Sequence, residues 1–124
     1  MSNKPLILVV DDDQPILALM RNLLREFGME TRTASSGTAA IGEVRRATPD
    51  LVLLDKNMPG ELAEEVIRSL RREAGMRSTP ILIVSGEPLD SEEVARLGAS
   101  GAVMKPFDIG DLIERIRTHA GVAR

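Results

Sequence analysis

Short apolar runs alternate with longer segments of helical period five times along the chain, and nothing else constrains the fold as tightly. Leu6–Val10 (LILVV), Leu51–Leu54, Ile81–Val84 and, more weakly, Ala102–Met104 read as strands. Glu30–Ala34 (ETRTA) is polar and alternating, the pattern of an edge strand. Between the runs lie apolar stripes of helical spacing. The first is Ile16, Leu19, Met20, Leu23, Leu24 and Phe27, stopped by Gly28. Ala40, Ile41 and Val44 follow within Ser36–Ala47, then Leu62, Val66, Ile67 and Leu70. Val94 and Leu97 mark a short fourth helix ending at Gly98, and Ile109, Leu112, Ile113 and Ile116 a fifth, with Asp108 as its N-cap. Strands separated by helices need crossover connections, so the expected fold is α/β: a (βα)5 doubly wound parallel sheet of five strands with helices on both faces.

The chain of 124 residues holds one sizeable core and is too short for two. No repeat or linker interrupts it, so residues 1–124 read as a single domain whose last residues, GVAR, fray. The net charge of −3 argues against a dedicated nucleic-acid surface. Without cysteines there are no disulfides or thiolate metal sites, and no apolar run is long enough to cross a membrane. A soluble, cytoplasmic protein is expected.

In an open parallel sheet the carboxyl ends of the strands face one crevice. The residues at those ends are Asp11 and Asp12 after the first run, Asp55 after the third, Ser85 after the fourth and Lys105 after the fifth. Gathering carboxylates is costly unless a cation sits among them. Oxygen ligands on rigid strand ends suit Mg²⁺, which takes one or two carboxylates and keeps water or phosphate oxygens elsewhere. An Asp carboxylate can also act as a nucleophile and form an aspartyl phosphate. Phosphoryl transfer onto a carboxylate, with the metal and Lys105 neutralising the phosphoryl oxygens, is the chemistry this set suits.

ILVVDDDQPI, DLVLLDKNMPG, ILIVSGE and VMKPF, in this order and spacing, resemble the receiver domains of two-component response regulators. The resemblance spans essentially the whole chain and implies the CheY-like variant of the flavodoxin fold, strand order 2-1-3-4-5. It implies Asp55 as phosphoacceptor, and Asp11, Asp12, Asp55 and the Asn57 backbone carbonyl as Mg²⁺ ligands. Ser85 becomes a switch hydroxyl and Lys105 the phosphoryl partner, while Asn57, Glu87 and Lys56 lie where phosphoryl lifetime is set. The Lys105–Pro106 bond resembles one that is often cis. The implied partners are a sensor histidine kinase or histidine phosphotransfer protein as donor, and an output partner on the face of the fourth helix, fifth strand and fifth helix. The domain would aid its own phosphorylation and hydrolysis without being a conventional enzyme. A homodimer is a further possibility.

Plainer readings exist for each residue. Asp13, followed by Gln14 and Pro15, reads as the first helix's N-cap rather than a ligand. Asp11 and Asp12 alone could be turn residues, and Ser85 a turn cap within Ser-Gly. Lys105 could be a solvated lysine, but convergence with the aspartates favours the site. His119 reads as an exposed residue without partners, and Met58 and Met104 as packing. A dehalogenase-type phosphatase would need its nucleophile on the first strand and a cap insertion, and a nucleotide- or flavin-binding module a Gly/Ser/Thr phosphate loop; neither is present.

Three departures from the family pattern stand out. Ala102 occupies the position of the usual strand-five aromatic. MPGELAEEV lacks the common Met-Asp-Gly after MPG, and the short Ser85–Lys105 spacing predicts a short or poorly ordered fourth helix. The alternative they keep alive is a receiver-like interaction domain that signals without phosphorylation.

Overall fold

A computed structural model describes residues 4–121. The elements run β1 (Leu6–Val10), α1 (Gln14–Glu26), β2 (Glu30–Ala34), α2 (Gly37–Arg46), β3 (Leu51–Asp55), β4 (Asn57–Met58), β5 (Glu61–Leu62), α3 (Ala63–Arg71), β6 (Ile81–Ser85), α4 (Ser91–Leu97), β7 (Gly101–Met104) and α5 (Ile109–Ala120). Five parallel strands form one sheet in the order β2-β1-β3-β6-β7, which in terms of the five main strands is 2-1-3-4-5. The polar strand β2 lies at one edge, as its alternation predicts.

Period-two geometry divides the apolar runs between two cores. Ile7 and Val9, Leu51 and Leu53, and Leu82 and Val84 point to the side covered by α1 and α5. Leu8 and Val10, Val52 and Leu54, and Ile81 and Ile83 point to the side covered by α2, α3 and α4. Burial on both faces is why β3 and β6 are buried at every residue and carry no polar alternation.

Side-chain caps fix four helix starts. Asp13 Oδ1 accepts the Ile16 N–H at 3.2 Å, Ser36 Oγ that of Ala39 at 3.0 Å, Asp90 Oδ1 that of Glu93 at 2.8 Å, and Asp108 Oδ1 that of Asp111 at 3.0 Å. α4 is short, at seven residues. It ends where Gly98 takes φ of 84°, a left-handed turn glycine makes without strain. The Arg71 guanidinium closes the segment between α3 and β6: it donates to the carbonyls of Met76 (3.0 Å), Thr79 and Gly98 (3.3 Å).

The helical stripes need correction at their margins. Leu62 is not on the buried face of α3; it lies in β5 and is 60% exposed. Leu19 on α1 and Phe27 at its C-cap are exposed, since a stripe wider than the contact with the sheet leaves its flank in water. Met58 packs in the core, but Met104 is half-exposed on the edge strand β7. His119 is half-buried, and its Nδ1 lies 2.9 Å from the Arg115 carbonyl one turn earlier. The expected fraying after Gly121 lies outside the described residues.

Candidate functional site

Because the central strands are parallel, their carboxyl ends reach the same edge. β1 delivers Asp11, whose N–H donates to Ala34 O at 3.0 Å and whose Oδ1 accepts the Asp13 N–H at 3.0 Å. β3 delivers Asp55, its last residue, in register with Val84 of β6. Asp11 and Asp55 are buried, with relative exposures of 6% and 8%, whereas Asp12 is exposed. One carboxylate oxygen from each of Asp11, Asp12 and Asp55 lies within 4.8 Å of the others.

Lys105 enters from β7. Its N–H donates to Ser85 O at 2.7 Å, the Lys105–Pro106 bond is cis, and Nζ stands 3.6 Å from Asp55 Oδ1. Apolar side chains of Val9, Ile16, Met20, Leu53, Val84 and Phe107 wall the inner side. Burial raises the Asp11 pKa above its usual value. Asp55 and Asp12 add to the rise, while the Asp13 N–H and Lys105 oppose it.

Three carboxylates against one ammonium leave a surplus of negative charge on a partly desolvated floor. A small divalent cation fits this all-oxygen donor set, and Asp11, Asp12 and Asp55 would hold it, with the Asn57 backbone beside them. Asn57 is tied to the site through its N–H, 3.5 Å from Asp55 Oδ1.

The remaining candidates sit around this centre. Ser85 is 1% exposed, and its hydroxyl closes a turn: it donates to Glu87 O at 2.8 Å and accepts the Glu87 N–H at 3.0 Å. Glu87 therefore meets Ser85 through its backbone, and its side chain is exposed. Lys56 donates its N–H to Val84 O at 2.9 Å. Its side chain borders an open groove of about 520 Å³ between the β4–β5 hairpin and α4.

One contact has no counterpart in the sequence patterns. Glu61 Oε1 accepts the N–H of Gly37, the first residue of α2, at 2.9 Å. Neither residue belongs to a motif, and only the replacement of Met-Asp-Gly by ELA hinted that this segment is unusual.

Strand order, two-sided burial and an acidic cluster opposite a strand-end lysine define a CheY-like receiver. The response regulator receiver domain family matches residues 7–117, and the chain belongs to that family. It is 38% identical over 113 residues to the DNA-binding response regulator MtrA of Mycolicibacterium paratuberculosis, covering 90% of this chain and 49% of that protein. It is 34% identical over 113 residues to the sensory transduction protein RegX3 of Mycobacterium bovis, covering 90% of this chain and 48% of that one. The chain thus spans about half the length of these relatives. The chemotaxis protein CheY4 of Vibrio cholerae superposes with a TM-score of 0.87 at 28% identity, over 94% of this chain and 98% of that chain.

Proposed function

We propose that this receiver domain accepts a phosphoryl group on Asp55 from a phosphohistidine of a sensor kinase or phosphotransfer protein, in a reaction that requires Mg²⁺. The observation that carries this is the placement of Asp55: buried, within 4.8 Å of two further carboxylates, and 3.6 Å from the Lys105 ammonium. In the transfer, an Asp55 carboxylate oxygen forms the new bond to phosphorus as the phosphorus–nitrogen bond to the donor histidine breaks, and the bonding pair returns to the imidazole. A Mg²⁺ bound by Asp11, Asp12 and Asp55 supplies charge neutralisation for the phosphoryl oxygens. Lys105 holds positive charge 3.6 Å from Asp55 Oδ1. The apolar wall behind Asp55 closes the inner side of the site, so the phosphoryl group faces the mouth.

Phosphorylation adds close to two negative charges at neutral pH. Ser85 answers by exchanging its Glu87 bonds for one donated to the phosphoryl group, which moves the loop before α4. The output surface is then the face of α4, β7 and α5, where Met104 is half-exposed beside a depression of about 420 Å³ against α5. Glu87, Lys56 and Asn57, at the mouth of the site, set how fast water reaches the phosphoryl group. The domain thus promotes its own phosphorylation and dephosphorylation and is no conventional enzyme. Ala102 on β7, where the family pattern has an aromatic, favours a second reading, an interaction domain that works without phosphate.

Intact-mass measurement after incubation with a small-molecule phosphodonor tests the choice. One phosphoryl adduct that needs Mg²⁺ and is absent from Asp55→Asn supports the transfer chemistry. No adduct under conditions that label a control receiver would turn the assignment to the phosphate-independent domain.

A further inference from the structure

The β4–β5 hairpin follows Asp55 directly, pairing Asn57 with Leu62 and Met58 with Glu61. Its inner end is fixed to the site, through Lys56 N–H to Val84 O at 2.9 Å and Asn57 N–H to Asp55 Oδ1 at 3.5 Å. Its outer end is fixed by the Glu61 carboxylate, which accepts the Gly37 N–H at 2.9 Å. That N–H is one of the four at the start of α2 without an intrahelical partner, where helix polarity favours a carboxylate. Ser36 Oγ already caps the Ala39 N–H, so Glu61 takes a donor that the local cap leaves over.

The approach depends on position 37 being glycine. A Cβ there would stand 2.5 Å from Glu61 Oε1 and 3.1 Å from Val66 Cγ2. The backbone of Gly37 does not lie in the left-handed region, so the glycine serves this close approach rather than a turn.

We propose that Glu61 is a positioning residue for the metal side of the site: by docking the hairpin on the N-terminus of α2, it holds the Asn57 backbone where Mg²⁺ takes it as a ligand. The assignment rests on the Mg²⁺-dependent reading of Asp11, Asp12 and Asp55 given above. Outer groups that orient metal ligands commonly change metal affinity about tenfold or more when removed. Glu61 acts through Asn57 and touches no reacting atom.

Gly37→Ala separates this role from general stability. The new Cβ displaces the Glu61 carboxylate, the mobile end of a side chain, and asks Val66 Cγ2, 3.1 Å away, to give by a few tenths of an ångström. Mg²⁺ titration followed by amide chemical shifts of the full chain gives both the affinity and the residues affected. Gly37→Ala and Glu61→Ala are each expected to weaken Mg²⁺ binding about tenfold. The double variant should be no weaker than either single one, because both break the same contact. Glu61→Gln, which keeps an acceptor, should recover part of the loss. Without Mg²⁺, the amides of Gly37 and Leu62 should exchange faster in Glu61→Ala. Saturable wild-type shifts around Asp55 with an unchanged affinity in Gly37→Ala and Glu61→Ala would overturn the role of Glu61. No saturable Mg²⁺ shifts in the wild type would instead overturn the metal reading beneath it.

Discussion

Neutralising Asp11 should stabilise the protein without Mg²⁺ and abolish its response to Mg²⁺. Its carboxylate lies within 4.8 Å of those of Asp12 and Asp55. Two like charges at that separation repel by about 3.5 kcal/mol at an effective dielectric near 20. Two such pairs would set an upper figure of about 7 kcal/mol, but Asp12 is exposed to solvent and Lys105 lies 3.6 Å from Asp55 Oδ1, so most of this is screened. Asp11→Asn keeps an oxygen for the Asp13 N–H and removes only the charge. A net gain of about 1–2 kcal/mol is expected, which raises Tm by roughly 4–8 °C in a domain of this size.

Scanning calorimetry in EDTA reads this gain directly. The same scan with Mg²⁺ at tenfold its Kd should stabilise wild type by about 1.4 kcal/mol and leave Asp11→Asn unmoved. The sign with pH follows from the direction of the shift. Because burial raises the Asp11 pKa in the fold, its protonated form contributes stability that is complete below the unfolded value, and that stability is lost as pH rises through the folded one. The advantage of the Asn variant should therefore be full at neutral pH and vanish on acidification below roughly pH 4. An Asp11→Asn protein less stable than wild type in EDTA, or one that keeps the wild-type gain from Mg²⁺, would refute the account of these carboxylates as a strained metal floor.

Burial lowers the Arg71 pKa, and its guanidinium serves three backbone carbonyls, so Arg71→Ala should cost about 2–3 kcal/mol in urea unfolding. Arg71→Lys should recover little of it, because an ammonium cannot fork across three acceptors; full recovery would show that charge alone matters. The forked Arg45–Glu73 pair, with contacts of 2.7 and 3.1 Å, holds Glu73 below the usual carboxylate range, first through the hydrogen bond and also through the charge. Its contribution is present above the ordinary Glu value and lost as pH falls through the lowered one, so the urea-midpoint difference between wild type and Arg45→Ala should close on acidification through that lowered value and shrink in high salt. A difference independent of both would mean that Arg45 acts by packing.

The order of the five main strands and five helices, the parallel sheet with β2 at an edge, and the convergence of Asp11, Asp12, Asp55, Ser85 and Lys105 on one end were legible in the amino-acid pattern. These follow from period two in the strands, period 3.6 in the helices and the rule that parallel strands end together, all carried by neighbouring residues. The Asp13 cap was legible for the same reason. Features that depend on packing between distant segments were not legible there, and the fold supplied them. It put Lys105 Nζ 3.6 Å from Asp55, tied the Ser85 hydroxyl into its own turn, and turned Leu62 and Met104 to solvent although their spacing and type suggest burial. It also joined Glu61 to Gly37 across 24 residues. A glycine and a glutamate that far apart carry no shared periodicity, and their meeting is fixed by how α2 and α3 lie against the same sheet face, where the space of one missing Cβ admits a carboxylate.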